Sequence, residues 1–238
     1  MDQDVLGTAI RNYYFQDDPT DIEVLSPTME DDVLPVSYLF RSIDDMPKIE
    51  RKALSLSSGS VLEVGCAAGC HTAVLLSRSL PVTAIDISAG AIDVVKNRFN
   101  FDHLMVMQQS VWDHKGTYDT ILMLMNGTGI MQSLNKLTDY LRRLKALLSE
   151  NGQILIDSSD LKFLYEDDED GGLWIPAGID YYGEVSFQFK YKNLISDPFP
   201  WLYCDFKTLK EHAQEAGFSC IKVMDGDHYD YLAQLSIS

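Results

Sequence analysis

Two carboxylates and the small residues that follow the first of them carry the clearest chemical signal in this sequence. Glu63 and Asp86 each lie at the end of a short apolar run, which is typical of a buried strand. Gly65 and Gly69 follow the first run, and glycine lets the backbone come close to a bound molecule. The helix expected after this loop offers unpaired N–H groups at its start. A carboxylate at the position of Asp86 can accept both hydroxyl groups of a ribose, so the pattern predicts a nucleoside-binding site in an α/β domain.

The spacing of the small residues separates two classes of nucleoside ligand. A dinucleotide-binding loop typically has the pattern Gly-x-Gly-x-x-Gly. When that pattern is placed on Gly65, it meets Ala67 and Cys70 instead of two of its glycines. The sequence has Glu-x-Gly-x-x-x-Gly from Glu63 to Gly69. A nicotinamide-dependent oxidoreductase is therefore a distant alternative.

This pattern resembles the first motif of class I S-adenosylmethionine-dependent methyltransferases, Asp/Glu-x-Gly-x-Gly-x-Gly, with Ala67 where a further glycine often stands. The order of later segments is also similar to that family, and the resemblance covers roughly residues 58–160 and 205–238. It implies an α/β fold with a Rossmann-like, doubly wound, mostly parallel sheet. It also implies S-adenosyl-L-methionine as the cofactor, whose positive sulfonium and ammonium groups suit the acidic Glu63.

The resemblance also implies which residues hold the cofactor. The expected contacts to the methionine moiety come from Glu63, Gly65, Cys66, Ala67 and Gly69. Asp86 and Ile87 are expected at the ribose and adenine, and Ser110 and Val111 at the adenine edge, although the family often has Asp where Ser110 stands. Asn126 is also expected to bind the cofactor, and it follows the fourth strand, where the family's acceptor meets the methyl group.

The rest of the chain divides into four expected regions. An amino-terminal cap, a Rossmann-like core, an insertion that shapes the acceptor pocket, and a closing helix and β-hairpin are expected at residues 1–57, 58–160, 161–204 and 205–238. Alternating apolar residues from Val185 to Tyr191 predict one strand of an antiparallel hairpin in the insertion. A leucine period predicts a helix over residues 133–149, ended by Asn151 and Gly152.

Candidate substrate-binding residues lie in the cap and in the insertion. Tyr14 and Arg41 belong to the cap, which in the resembled family often folds over the cofactor, and Trp174 belongs to the insertion. Packing of the cap is the alternative role for the first two. No catalytic residue is assigned, because methyl transfer depends mainly on holding the nucleophile and the methyl group in a near-attack geometry.

Composition limits the classes of partner. The formal net charge of −17 disfavours a nucleic-acid substrate, because nucleic-acid backbones repel an acidic surface. Cys66, Cys70 and His71 are close enough in sequence to consider zinc, but small buried thiols are the preferred interpretation and no metal is expected. No apolar run approaches the roughly 20 residues that span a membrane, and no signal-peptide pattern is present. A cytoplasmic monomer or homodimer is expected.

Three functions remain open. The main hypothesis is an enzyme that methylates a small-molecule acceptor. A protein methyltransferase is the second, since an acidic surface favours a basic partner. The third is a non-catalytic, S-adenosylmethionine-binding regulatory protein.

Overall fold

The computed structural model describes residues 4–164 and 180–238. The strands in these ranges are β1 (Ile22–Leu25), β2 (Asp32–Leu34), β3 (Val61–Val64), β4 (Val82–Asp86), β5 (Leu104–Gln108), β6 (Tyr118–Met123), β7 (Leu148–Ser159), β8 (Glu184–Tyr191), β9 (Leu194–Ile195), β10 (Phe199–Leu202), β11 (Phe218–Asp225) and β12 (Asp230–Ile237). The helices are α1 (Val5–Gln16), α2 (Lys48–Leu56), α3 (Cys70–Ser77), α4 (Ala89–Arg98), α5 (Leu134–Lys145) and α6 (Phe206–Glu215). No helix in these ranges has the length and apolar character needed to cross a bilayer.

The described residues contain a seven-stranded sheet in the order β5-β4-β3-β6-β7-β12-β11. Strands β3 to β7 are parallel to one another, whereas β12 is antiparallel to both β7 and β11. The strand order reverses at β3, because β4 lies on one side of it and β6 on the other. Ligands of such sheets bind at the carboxyl ends of the strands beside this reversal. The predicted α/β fold with a mostly parallel, doubly wound sheet is confirmed.

Helices cover both faces of this sheet, which explains why its central strands are mostly buried. All four residues of β3 are buried. One face packs against α5 and α6, through Leu137, Leu141, Leu144, Leu209 and Ala213. The other face packs against α2, α3 and α4, through Ile49, Ala53, Leu75, Leu76 and Ile92. The two cores hold β3 rigidly, and with it the loop that follows.

A second sheet joins residues that are distant in sequence. Its order is β10-β8-β1-β2, with β9 also paired to β8. The antiparallel pairing predicted in the insertion is present, with Phe187 opposite Phe199. The pairing of β8 with β1 was not predicted. The boundaries at residues 57, 160 and 204 remain predictions, and the structure adds that the first and third regions share this sheet.

The second sheet contacts the loop that follows β6. A Cβ atom at Gly129 would overlap the indole of Trp201 on β10, so only glycine leaves room for this contact. Nearby, the Thr128 hydroxyl donates to the carbonyl of Leu202 over 2.9 Å. Ser158 Oγ accepts the N–H of Cys204 over 2.8 Å. These contacts fix the loop after β6 against β10.

The predicted helix over residues 133–149 is too long. Helix α5 ends at Lys145, and Leu148 already pairs with Tyr118 as the first residue of β7. Leu148 continues the leucine period because it packs into the same core as the helix, but it does so from a strand. The pair Asn151 and Gly152 therefore lies inside β7 and does not end the helix.

One side chain connects α1 to the start of α4. The Asp4 carboxylate accepts the N–H of Gly7 over 2.9 Å, and the N–H of Gly90 and the hydroxyl of Ser88 over 2.9 Å each. It therefore caps both helices. Any Cβ at Gly90 would overlap the backbone of Gly7, so the helices touch at these two glycines. This contact holds α1 beside the segment that follows Asp86.

We expect Gly90→Ala to destabilise the protein, although alanine is the better helix former by about 1 kcal/mol. The added methyl group meets the backbone of Gly7, which cannot rotate away, and such overpacking costs about 1–3 kcal/mol. Urea unfolding measures the change, and hydrogen exchange of the α1 amides should accelerate. Ala89→Gly, at the exposed neighbouring position, is the control and should cost no more than about 1 kcal/mol. A Gly90→Ala protein more stable than the parent would contradict the helix contact.

Candidate cofactor and acceptor site

The loop after β3 has an unusual backbone that its small residues permit. Gly65, Ala67 and Gly69 have positive φ angles of 79°, 45° and 82°. Glycine adopts this conformation without strain, whereas alanine pays roughly 1–2 kcal/mol for it. Strain of this kind persists where the surroundings enforce it, often at binding sites. Here, the N–H groups of Gly65 and Cys66 both donate to the carbonyl of Ile85, which ties the loop to β4.

Glu63 is buried at the end of β3 and only partly satisfied by hydrogen bonds. It is 2% exposed. Its Oε2 atom accepts the hydroxyl of Thr72 over 2.5 Å, whereas Oε1 has no hydrogen-bond partner among the described residues and lies 3.8 Å from Nδ1 of His71. Burial, and then the negative charge of Asp86, raise the pKa of Glu63. A buried oxygen without a donor is unusual, and a ligand N–H group would satisfy it.

Asp86 holds the loop that follows β3, and its charge acts on Glu63. Its Oδ2 atom accepts the N–H of Ala67 over 2.9 Å, and its Oδ1 atom accepts the N–H of Ser88 over 2.9 Å. Burial raises its pKa, although these two N–H groups oppose the change. Ile87 follows with 76% of its surface exposed, so an apolar face is open next to the expected ribose position. The roles of Asp86 and Ile87 toward the nucleoside remain predictions.

The other predicted cofactor residues line the same end of the sheet. Cys66 is buried, and burial raises the pKa of its thiol well above the usual value, so the thiol is neutral. Ser110 Oγ accepts the N–H of Trp112 over 3.1 Å, which fixes the turn after β5. Val111 is buried in the core, and its carbonyl accepts Nε–H of Arg143 over 3.0 Å. Their contacts to the cofactor remain predictions.

The segment after β6 contains two consecutive non-glycine residues in the left-handed region. Met125 and Asn126 have φ angles of 66° and 56°. The Oδ1 atom of Asn126 accepts the hydroxyl of Ser159 over 3.0 Å, and this bond orients the side chain. Because β3 and β6 are neighbours, this segment lies next to the loop of Gly65. Strained residues of this kind cluster at functional sites, and the role of Asn126 remains a prediction.

A buried cluster of charges lies behind the loop. Glu50 Oε2 lies 2.5 Å from Nη2 of Arg41 and 2.9 Å from Nε2 of His71. Burial opposes protonation of His71, but hydrogen bonds with Cys70 and Glu50 raise its pKa to about 10. Burial also opposes ionisation of Glu50, yet its bonds to His71 and Arg41 lower its pKa. His71 is therefore a cation between two carboxylates.

The sequence did not predict this cluster. Glu50 lies on α2 and reaches His71 only through the packing of α2 against α3, so no local pattern points to it. Arg41 was predicted to bind substrate, and in the structure its buried guanidinium donates to Glu50 and, over 2.8 Å, to the carbonyl of Tyr38. Its contact with substrate remains a prediction.

The remaining predicted substrate residues are not tested. Tyr14 is parallel to Phe40, with 6.3 Å between the ring centroids. The guanidinium of Arg98 lies 4.9 Å from the centroid of Phe40. It also donates to the carbonyl of Ala68 in the loop between β3 and α3, residues 65–69, which we call the cofactor loop. Tyr14 is thus connected to this loop through Phe40 and Arg98. Trp174 lies outside the described residues.

A cavity of about 610 Å³ opens beside the two loops. Four segments line it: residues 38–50, Met125 and Asn126 after β6, Asp157 and Ser159 at the end of β7, and the turn at 227–230. Glu50 belongs to both the cavity wall and the charged cluster, so the cavity and Glu63 are joined through His71. The prediction that residues 161–204 shape the acceptor pocket stays a prediction, because residues 165–179 lie outside the described residues.

Comparison with known proteins decides the family. The family model of a methyltransferase domain matches residues 37–223. The chain belongs to this methyltransferase family. A solved S-adenosylmethionine-dependent methyltransferase from Bacteroides fragilis, in complex with S-adenosyl-L-homocysteine, is 41% identical, with a TM-score of 0.89 over 99% of this chain and 95% of that one. The protein is therefore an S-adenosylmethionine-dependent methyltransferase, as the sequence predicted.

More distant structures share the fold. An S-adenosylmethionine-dependent methyltransferase from Clostridium acetobutylicum has 14% identity and a TM-score of 0.62, over 82% of this chain and 93% of that one. The 1,6-didemethyltoxoflavin-N1-methyltransferase of Burkholderia thailandensis has 16% identity and a TM-score of 0.50, over 81% of this chain and 79% of that one. A comparison with curated protein sequences gave no match.

The residues present fit S-adenosylmethionine. The cofactor carries an ammonium group, and Glu63 Oε1 is a buried acceptor without a donor among the described residues. Gly65 and Gly69 adopt positive φ angles and add no side chain to the loop, which lets a ligand approach its backbone closely. In the same ranges, no group of three His, Cys, Asp or Glu side chains has the arrangement of a metal site.

We expect Asp86→Ala to weaken the binding of S-adenosylhomocysteine by about 1–3 kcal/mol, the usual value of a lost hydrogen bond to a charged group. Isothermal titration calorimetry measures the affinity. Asp119→Ala, near the start of β6 and thus at the opposite end of the sheet, is the control and should leave the affinity unchanged. Unchanged affinity in Asp86→Ala would contradict the ribose assignment.

We also expect Arg41→Met to reduce the free energy of unfolding by about 3–5 kcal/mol, because Glu50 then keeps a buried charge with one partner fewer. Urea unfolding without ligand measures this loss. Arg142→Met removes two exposed ion pairs, with Asp139 and Glu215, and should cost less than about 1 kcal/mol. If Arg41 served only to bind substrate, the unliganded variant would be as stable as the parent.

Proposed function

We propose that the protein methylates a small-molecule acceptor bound in the cavity beside Asn126. The observation that carries the proposal is the position of the cavity, which shares Met125 and Asn126 with the loop after β6. That loop lies next to the cofactor loop because β3 and β6 are paired. A volume of about 610 Å³ lies within the range of roughly 300–1,000 Å³ typical of small-molecule sites.

S-adenosylmethionine supplies an electrophilic methyl group on a sulfonium when it is bound. The residues of the chain have the task of positioning, which accounts for most of the rate in a displacement of this kind and supplies up to about 7–11 kcal/mol. The strained segment at Met125 and Asn126 is held by Ser159 and by the contact of Gly129 with Trp201. These contacts keep the cavity wall rigid beside the cofactor loop.

Further observations favour a small acceptor. The Burkholderia methyltransferase of similar fold was solved with the small molecule 1,6-didemethyltoxoflavin bound. The acidic composition would also suit a basic protein partner, and the test below separates the two. All four cysteines are free thiols, which supports the expected cytoplasmic setting.

The test uses S-adenosylmethionine labelled in its methyl group. We expect label to enter small molecules of a desalted metabolite extract, in step with the formation of S-adenosylhomocysteine. Mass spectrometry detects both products. The Asp86→Ala variant is the matched control and should reduce both at a limiting cofactor concentration.

Two outcomes would contradict the proposal. Label found only in the macromolecular fraction would favour a protein methyltransferase. Cofactor binding without transfer to any fraction would favour a regulatory protein that binds S-adenosylmethionine.

A further inference from the structure

The cavity beside Asn126 is strongly acidic. Fourteen described residues line it, and these include six carboxylic acids but no lysine or arginine. The six acids are Asp44, Asp45, Glu50, Asp157, Asp227 and Asp230. Two are compensated from outside the lining, since Glu50 pairs with Arg41 and His71, and Asp227 pairs with Lys48. An anionic ligand would find no lysine or arginine among these residues.

Four of the six acids form no ion pair among the described residues, and Asp157 is the buried one of these four. It is 5% exposed at the carboxyl end of β7, and it lines the cavity. Its Oδ1 atom accepts the N–H of Gly127 over 2.9 Å, and the N–H of Asn126 also lies close enough to lower its pKa. No lysine, arginine or histidine forms an ion pair with it in the part of the chain that the structure describes. The charge of His71 lowers the pKa of Asp157 without forming an ion pair with it.

A buried carboxylate normally has a cationic partner, because transfer of a charge from water into the interior is costly. Asp157 instead faces a cavity that can admit one. Its contacts to Asn126 and Gly127 place it beside the strained segment where an acceptor meets the methyl group. The missing partner is therefore best supplied by the ligand of this cavity.

We propose that the acceptor is a small amine that enters as its ammonium ion, binds against Asp157 and is methylated on nitrogen. This proposal rests on the proposed function and names the class of its acceptor. The ammonium form is attracted by the acidic wall, but its nitrogen has no lone pair and cannot attack. Asp157 resolves this conflict, because it attracts the cation and is also a base within reach of the N–H proton.

The ammonium R–NH₃⁺ gives one proton to the Asp157 carboxylate, which leaves R–NH₂ and a carboxylic acid. The nitrogen lone pair then forms the N–C bond while the C–S bond to the sulfonium breaks and its electron pair stays on sulfur. The product is the methylammonium R–NH₂–CH₃⁺ with neutral S-adenosylhomocysteine. No oxidant, reductant or metal is required.

Burial raises the pKa of Asp157 to about 6, against the two N–H groups that lower it. The base form therefore dominates above pH 6 and disappears below it. The charged and titratable groups around Asp157 come from several elements: Tyr38, Arg41, Asp44 and Asp45 before α2, Lys48 and Glu50 on α2, His71 on α3, Tyr203 after β10, and Asp227, His228 and Asp230 before and at the start of β12. His71 stays protonated, since its pKa is about 10.

The first experiment compares three panels of small molecules that share carbon skeletons and differ in one group: an amine, an alcohol or a carboxylic acid. Formation of S-adenosylhomocysteine reports turnover, and ligand-observed NMR without cofactor reports binding. We expect turnover and binding to be confined to the amines. Methylation of alcohols or carboxylates in preference to amines would overturn the proposal, and so would the absence of any preference for amines in binding.

The second experiment uses the best amine with Asp157→Asn, which keeps the size and hydrogen-bonding oxygen of the side chain. We expect kcat to fall by about 10²–10⁴-fold, the usual contribution of a positioned base, with partial rescue in Asp157→Glu. The affinity for S-adenosylhomocysteine should not change. A loss of that affinity would assign Asp157 to the cofactor instead and overturn the proposal.

The pH dependence separates a base from a structural residue. In the parent protein, kcat/KM for the amine should fall tenfold for each pH unit below about 6. This acidic limb should vanish in Asp157→Asn and persist in His228→Gln, which distinguishes the carboxylate from the histidine in the same cavity. Thermal unfolding above pH 6 checks that Asp157→Asn folds, and it should be at least as stable as the parent because a buried charge has been removed.

The two proposals fail differently. A protein that methylates a neutral or anionic small molecule refutes the amine acceptor and leaves the proposed function intact. A protein that methylates only macromolecules refutes the proposed function itself.

Discussion

The buried carboxylate of Glu63 is the group on which the arrangement of the site depends. The parallel sheet places it at the end of its central strand, where helices on both faces exclude water. One oxygen is held by Thr72 and the other has no donor among the described residues. The charge of His71 offsets part of the cost of this burial, and Glu50 and Arg41 in turn stabilise the histidine. The result is a strand end that is poised to bind a cation.

The same cluster joins the two parts of the site. His71 lies near the start of α3, directly after the cofactor loop, and it touches Glu50 in the cavity wall. The buried charges of His71 and Glu50 therefore lie between the cofactor loop and the cavity. The strained backbone on either side, at Ala67 and at Met125, is maintained by the surrounding packing. Positioning of this kind is what methyl transfer requires of a protein, since the reactive methyl group comes from the cofactor.

The sequence predicted the parts of the site that lie within local motifs. Glu63, Gly65 and Asp86 could be found because strand, loop and helix follow one another in a recognisable order. Glu50 and Asp157 could not, because only the tertiary fold brings α2 and the end of β7 to the same cavity. The end of α5 was misplaced for a related reason: Leu148 satisfies the helical period, but its backbone pairs with Tyr118 in a sheet. The pairing of β1 with β8 likewise depends on contacts between distant segments, which no local pattern encodes.

A crystal structure of the protein with S-adenosylhomocysteine would test the central claim most directly. We expect the amino group of the ligand to lie within hydrogen-bond distance of Glu63 Oε1 and its ribose hydroxyls to face Asp86. The cavity lined by Asn126 and Asp157 should remain open beside the sulfur atom. A ligand bound elsewhere, or one whose amino group faces away from Glu63, would contradict the account.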